Sequence, residues 1–327
     1  PPVKVAFMGE AAISSAINEV TGADRPVVYF LQGHGEHGPG LFDAQTGYSR
    51  CLRALEQDHI EVRSLVIGRD QAVPADCDNL VIAGPKTRFS SQEITVLSDY
   101  LNRNGRMMVL LDAMTDIGLD DLLETWAVKV GDDIVVDPAN TYSGRELYVT
   151  EYPPHPITRR LQGLTTIFYL PRSVEPVDLE PDAPADRPRA RELAASSSKG
   201  WAETDWNTLP MRFDPERDRG GVMSVAVAVE RGEGLDMEIT TTRLVGIGDA
   251  SFLTNQNLAG ANLDFFRNAM NWLVARESRL DIPPKPYTES RLVMTRHEMI
   301  LVGVILILGL PLLVAFCGIL VGWRRRR

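Results

Sequence analysis

Cysteine and positive charge are both scarce in this chain. Its 327 residues include three cysteines, and 34 Lys and Arg stand against 44 Asp and Glu, a formal net charge of −10. Three cysteines are too few for a disulfide scaffold and give no firm indication of redox compartment. No basic stripe with interleaved aromatic residues is present, so we expect no nucleic-acid partner and interpret the acidity as a solubilising surface.

The sequence also lacks the usual signatures of nucleophilic catalysis and nucleotide binding. A nucleophile elbow places Ser or Cys between glycines where a strand turns into a helix. The corresponding turns here read GPKTRFS, DAMTDIG and GDASF. The segment GHGEHGPG has neither the Lys-Ser/Thr of a P-loop nor the spacing of a dinucleotide fingerprint. We therefore predict no catalytic residue and no cofactor.

What the chain does contain is an alternation of short apolar runs and amphipathic segments, with a hydrophobic fraction of 44% that is typical of a folded protein. This alternation predicts an α/β fold with a doubly wound, mostly parallel sheet. Strands are expected at 3–8, 27–31, 62–67, 79–84, 106–112 and 133–137. Helices are expected at 10–20, 46–58, from Ser90 or Ser91 to Arg103, and 118–130.

The second half of the domain is less regular. A segment rich in Pro, Ala and Asp at 175–200 predicts an exposed, irregular excursion over about 171–205. Two strands follow at 222–230 and 240–249, joined as a hairpin, and then a helix at 260–275. Too little chain follows the excursion to form a second core, so we expect one domain over 1–280.

The C-terminal part of the chain contains one long apolar run. Residues 299–323 read MILVGVILILGLPLLVAFCGILVGW and include no charged residue. At helical rise this run covers about 37 Å, enough to cross a hydrocarbon core of about 30 Å. We therefore expect a transmembrane helix at 298–323, with a juxtamembrane linker at 281–297 before it and a basic tail at 324–327 after it.

The four arginines at 324–327 set the expected orientation. They outweigh the scattered basic residues before the run, so the positive-inside rule places the C-terminus in the cytoplasm and the bulk of the chain outside it. The expected location is the inner (cytoplasmic) membrane, with the lipid bilayer as a partner. Export of the domain requires a signal peptide or an upstream transmembrane helix; residues 1–25 supply neither, so we expect one before Pro1.

Polar side chains follow several of the predicted strands. In an open parallel sheet, ligands bind in the crevice at the carboxyl ends of the strands. The loops 33–38 and 85–90 fall there, as do Asp112 and Asp249 with Ser251. The candidate residues for a ligand-binding crevice are Gly33, His34, Gly35, Glu36, His37, Asp112, Asp249 and Ser251.

The Gly-His-Gly-Glu-His loop allows two interpretations. Its glycines, Gly33, Gly35 and Gly38, can serve backbone positions with positive φ, the histidines then being partly exposed loop residues. Alternatively, three side chains bind a metal ion together with Asp112 or Asp249; these three are His34, Glu36 and His37. Because His-x-x-His on a loop has no enforced geometry, we favour the turn. Ser251 is interpreted as part of a helix cap.

Several motifs occur in an order that resembles the GldG-like auxiliary components of ABC transporters, known from gliding-motility systems. These motifs are YFLQGHGEHG, LVIAGP, LNRNGRMMVLLD, HPIT, RLVGIGDASFLTNQ and FRNAMNWLV, followed by a Pro-Lys linker and the final apolar run. The resemblance implies an extracytoplasmic α/β domain of the class I glutamine amidotransferase-like, flavodoxin-like type. It also implies transmembrane anchoring and, as partners, ABC permease and ATPase subunits.

The family is regarded as non-enzymatic, and Pro85 and Lys86 stand where a glutamine amidotransferase needs its cysteine. The favoured interpretation is a membrane-anchored auxiliary transport subunit whose outer domain binds a ligand or an envelope partner. Two alternatives stay open. One is an envelope metal-dependent hydrolase that uses the Gly-His-Gly-Glu-His loop, and the other is a plain membrane-tethered scaffold.

Overall fold

The computed structural model describes residues 25–68, 72–177, 186–206, 211–232, 241–274, 304–309 and 311–312. The strand and helix expected before residue 25, the linker at 281–297 and the tail at 324–327 lie outside the described residues. Of the expected transmembrane helix at 298–323, the description includes only a π-helical turn, Ile305–Gly309, and a few neighbours. The described residues form no helix that is long and apolar enough to span a membrane.

A mixed sheet of seven strands lies at the centre of the described domain, in the order β10-β13-β14-β4-β3-β1-β2. Strands β2, β1, β3, β4 and β14 are parallel, whereas β13 runs antiparallel to both β14 and β10. The α/β prediction is confirmed. The strands are β1 (Val27–Leu31), β2 (Glu61–Leu65), β3 (Asn79–Ala83), β4 (Arg106–Leu110), β10 (Arg189–Ala195), β13 (Ser224–Arg231) and β14 (Thr242–Ile247).

Four α-helices in the described residues cover both faces of this sheet. Alternate strand residues point to opposite faces, so Val28 and Phe30 belong to one apolar core and Tyr29 and Leu31 to the other. The first core is completed by α1 and α4, the second by α2 and α3. The helices are α1 (Ser49–Gln57), α2 (Ser91–Asn102), α3 (Asp120–Thr125) and α4 (Asn262–Leu273).

Helix α2 begins where the sequence indicates. The Ser90 hydroxyl accepts a hydrogen bond from the Glu93 backbone N–H, and the Glu93 carboxylate accepts one from the Ser90 N–H. This reciprocal capping box satisfies two N–H groups at the start of the helix. The predicted hairpin of β13 and β14 and the helix at 260–275 are also confirmed, with slightly shorter bounds.

The helix expected at 118–130 is much shorter than predicted. Helix α3 ends at Thr125, because the chain turns at Ala127 with a φ of 59°. Residues Val128–Val130 then form a strand, β5, that pairs with a later strand at Val174–Pro176. The apolar residues after Trp126 therefore serve a sheet, and their tertiary partner overrides the helical pattern.

The excursion expected over 171–205 is wrong for most of the described part of that range. Strand β10 is one of the two edge strands of the central sheet, with Leu193 and Ala194 fully buried. Residues 178–185 lie outside the description. The other strands of the described chain form small sheets: β5 (Val128–Val130) with β9 (Val174–Pro176), β7 (Glu146–Val149) with β8 (Thr166–Tyr169), and β6 (Ile134–Val136) with β11 (Trp201–Glu203) and β12 (Arg219–Gly220).

Candidate functional site

The loops that follow β1, β3, β4 and β14 meet at one edge of the central sheet. Strand β1 is flanked by β2 and β3, so the chain order reverses there, which is where open α/β sheets form their crevice. Backbone bonds join the first two loops: His37 N–H donates to Ala83 O at 2.8 Å, and Lys86 N–H donates to His34 O at 2.6 Å. The loop after β1 thus folds across the switch point.

The glycines of this loop have different roles. Gly33 and Gly35 have φ values of 130° and 82° and are exposed, a conformation that favours glycine. Gly38 does not have the expected positive φ. A Cβ atom at Gly38 would lie 2.8 Å from the Leu41 side chain, so close packing, and not a positive φ, explains the glycine there.

His34 lies between two carboxylates. Its Nδ1 is 3.4 Å from Glu36 Oε1, its Nε2 is 3.3 Å from Glu93 Oε1, and its ring stacks on Phe89 at 4.1 Å. The Glu36 side chain has no exposed surface, and its Oε2 accepts a hydrogen bond from the His34 backbone N–H. Glu36 therefore holds the loop from inside and does not face the crevice as the sequence suggested.

His37 is buried beneath the loop and uses only one of its ring nitrogens in a described hydrogen bond. Its Nδ1 lies 2.8 Å from Thr46 O, and because a carbonyl only accepts, Nδ1 carries the proton. Its buried Nε2 has no hydrogen-bond partner among the described residues. Burial lowers the pKa of His37, and its ring stacks on Tyr48 at 5.0 Å. A neutral imidazole with a bare acceptor therefore lies beneath the loop.

An ion pair crosses the crevice between the loops after β3 and β4. Lys86 Nζ, about half exposed, contacts Asp112 Oδ2, while Asp112 Oδ1 accepts a hydrogen bond from Ala250 N–H at 3.1 Å. Gly84 leaves room for this arrangement. A Cβ atom at Gly84 would lie 3.0 Å from Asp112 Oδ2. Three of the converging loops are therefore linked through one carboxylate.

Asp249 and Ser251 lie behind this ion pair. One Asp249 oxygen accepts hydrogen bonds from the backbone and hydroxyl of Ser251 and from Phe252 N–H, and the other accepts from Tyr169 N–H. Both oxygens are thus engaged at the start of the 3₁₀ turn Ser251–Leu253. Burial, reinforced by the charge of Asp112, raises the pKa of Asp249 to about 7.

The residues of the suggested metal set have different partners. His34 is directed to Glu36 and Glu93, whereas His37 is directed to Thr46 and Tyr48. Within the described ranges, no three His, Cys, Asp or Glu side chains are grouped to hold a metal ion.

Three contributors were missed at the sequence level. Lys86 lies in the polar loop 85–90, and its position at the end of a strand is the signal that could have found it. Glu93 has a role beyond capping, because its second oxygen faces His34. Tyr48, whose hydroxyl donates to Ala250 O, has no sequence pattern that distinguishes it from any buried aromatic residue.

Comparison with protein families shows which family the chain belongs to. A family model described as "ABC-type uncharacterized transport system" matches residues 25–275, which is most of the chain. The chain belongs to this family of ABC-transport auxiliary proteins. It is therefore a transport-associated auxiliary component. No curated protein is similar enough in sequence to count as a relative.

One solved structure shares the fold, and two others match the chain with lower TM-scores. The mmIFT52 N-terminal domain has a TM-score of 0.55 and 19% identity, covering 76% of this chain and 97% of that one; at this identity the likeness concerns the fold alone. An exo-β-1,4-mannosidase, Op5Man5 from Opitutaceae bacterium strain TAV5, has a TM-score of 0.39 and 13% identity over 80% of this chain and 37% of its own. A ThuA-like protein from Parabacteroides merdae ATCC 43184 has a TM-score of 0.44 and 10% identity over 80% of this chain and 94% of its own.

Replacing Gly84 by alanine is expected to destabilise the domain by about 3 kcal/mol. Gly84 has a φ of 62°, and a Cβ atom would lie 2.8 Å from Ala250 Cβ and from His37 Cδ2, so backbone strain and overpacking add. The measurement is urea unfolding. The matched control is Gly163→Ala, where φ is 80° but no atom lies within 4 Å; equal losses in both variants would contradict the packing argument.

The contribution of Asp249 to the free energy of unfolding is expected to fall as pH rises. Because its pKa is about 7 when folded and 3.8 as an unperturbed side chain, the folded state keeps a proton that the unfolded state releases between those values. Its contribution to stability is therefore greatest below the lower pKa and is lost through this window. Relative to Asp249→Asn, which does not titrate, the wild-type unfolding free energy should fall by up to about 1.4 kcal/mol per pH unit. A difference that is constant or grows between about pH 5 and about pH 7 would contradict the assignment.

Proposed function

We propose that the chain is a membrane-anchored, non-enzymatic auxiliary subunit of an ABC-type transport system. Its α/β domain lies outside the cytoplasm and binds the permease of that system through the rim of the crevice. Family membership supports the association with transport, and the finer assignment rests on the surface around the crevice.

The observation that carries this proposal is a set of exposed apolar side chains at the crevice edge. Phe42 is 77% exposed and lies with Leu41 on the loop after β1; Val66 follows β2 and Met114 follows β4. Val66 lies beside Gly33, 3.7 Å from where a Cβ atom would stand. Exposed apolar residues are ordinary singly, but several at one edge of a fold indicate an interaction surface.

A protein partner fits this edge better than a small ligand held inside the crevice. The backbone hydrogen bonds from His37 N–H to Ala83 O, and from Lys86 N–H to His34 O, close the space at the switch point. The Glu36 carboxylate beneath them is fully buried. What remains accessible is the apolar rim with the half-exposed Lys86 among it, a combination of apolar anchors and one charge that suits a protein interface.

Among the described residues, neither the two cysteines nor the crevice serine is activated as a nucleophile, which supports a non-enzymatic role. Burial raises the pKa of the Cys51 thiol to about 12, and burial raises that of Cys77 to about 11, so neither described cysteine is a thiolate at neutral pH. The Ser251 hydroxyl donates to Asp249, a capping arrangement, and is not paired with a histidine. The elbow position holds Pro85 and Lys86.

Membrane anchoring rests on the sequence of the C-terminal part. The run 299–323 lacks charge and is followed at once by four arginines. A segment of this length and composition inserts into a bilayer, and the arginines favour the cytoplasmic side. The α/β domain then faces the outer part of the permease.

The interface is tested by placing the photo-crosslinker p-benzoylphenylalanine at Phe42 in the full chain, expressed with its permease and ATPase. Irradiation should give an adduct with the permease, identified by mass spectrometry, because position 42 lies in the proposed contact. The matched control places the same residue at Tyr142, which is 45% exposed but lies in the turn before β7. No permease adduct at 42, or equal adducts at both positions, would refute the interface.

Topology is tested separately with an epitope tag after Arg327. Protease added to intact spheroplasts should digest the α/β domain and leave the tag protected on a short fragment, since the tag is cytoplasmic. Loss of the tag with an intact domain would mean the opposite orientation, and the proposed contact with the outer part of the permease would then fail.

A further inference from the structure

A second cleft lies beside β10, the edge strand on the opposite side of the central sheet from β2. It lies between the chain segment 148–153, which continues β7, and residues 195–197 at the end of the edge strand β10. Its volume is about 460 Å³, within the range of small-molecule sites. Four strands, β13, β14, β4 and β3, lie between β10 and β1, and none of the crevice residues lines the cleft, so it is a different site.

The charge of the cleft has one sign. Two glutamates line it, Glu151 and Glu192, and no lysine, arginine or histidine does so among the described residues. Several other polar side chains at its wall are already engaged: Asn140 and Ser197 bind Asp137, and the Tyr152 hydroxyl binds the backbone of Val149. The groups left for a ligand are therefore mainly acceptors with negative charge.

Glu192 is the principal unsatisfied group. It is half-buried, and within the described part of the chain its carboxylate has neither a hydrogen bond nor an ion pair. Burial, and then repulsion by Glu175, raise its pKa. The nearby Arg219 guanidinium is already bound bidentately by Glu175, at 2.6 and 2.8 Å, so it does not pair with Glu192. Tyr148 also lines the cleft, and its hydroxyl has no described partner.

We propose that this cleft binds a cationic nitrogen group, a primary amine or guanidinium, with Glu192 as the principal contact. A partly desolvated carboxylate without a partner is unfavourable, and a cation with N–H donors relieves it through a charge-assisted hydrogen bond. The Tyr148 oxygen and the exposed Glu151 carboxylate provide further acceptors. An anion is repelled by both glutamates, and a neutral polyol lacks the compensating charge.

The same group can come from a free polyamine or from a basic side chain on a protein segment, and two probes distinguish these sources. Isothermal titration calorimetry of the purified full chain would use spermidine and a tetralysine peptide at low ionic strength. Saturable binding of either probe is expected, weakened at least roughly tenfold by Glu192→Gln because a charged hydrogen-bond partner is lost. Binding of spermidine identifies a small-molecule site; binding of the peptide alone identifies a site for a basic segment.

Two controls separate this site from general attraction to an acidic chain. Glu124→Gln removes an exposed carboxylate on α3, outside the cleft, and should leave the affinity unchanged. Triacetylspermidine, which keeps the carbon chain but has no charged nitrogen, should not bind. The proposal is overturned by equal affinities of wild type and Glu192→Gln, by binding of the acetylated probe, or by no saturable binding of either amine. Glu151→Gln, on an exposed side chain, gives a second variant should Glu192→Gln fold poorly.

Discussion

The backbone hydrogen bonds between the loops after β1 and β3 set the character of the crevice. His37 donates to Ala83 and Lys86 donates to His34, so the two loops close over the point where the sheet order reverses. In an open α/β sheet this point is usually the mouth of a ligand pocket. Here the closure places the Glu36 carboxylate and the His37 ring beneath the backbone, and leaves Lys86 with the apolar rim accessible.

This closure also explains the unequal roles of the two histidines. His34 lies between Glu36 and Glu93 and stacks on Phe89, so it ties the loop to the start of α2. His37 donates from Nδ1 and leaves Nε2 bare under the loop. His34 therefore positions the backbone of the loop. The buried, neutral His37 keeps one acceptor nitrogen without a described hydrogen-bond partner at the centre of the site.

The local elements could be predicted because their signals are local. Alternating apolar residues indicate the strands, and Ser90 with Glu93 marks the start of α2. The end of α3 and the edge strand β10 could not be predicted, since each depends on a partner strand distant in the chain. The candidate residues were found because they follow strands. Their roles depend on contacts such as His34 with Glu93, 59 residues apart in the numbering.

The crevice at the switch point and the cleft beside β10 differ in chemistry because different strand arrangements form them. At the switch point, parallel strands bring several loops together, and hydrogen bonds among these loops satisfy many of their polar groups. Apolar side chains are exposed around them. At the β10 end, the antiparallel edge strand has a neighbour on one side only among the central strands, and Glu192 is left without a described partner. The acidic cleft and the crevice rim share no residue, so the cation and the protein partner proposed above would contact different surfaces of the domain.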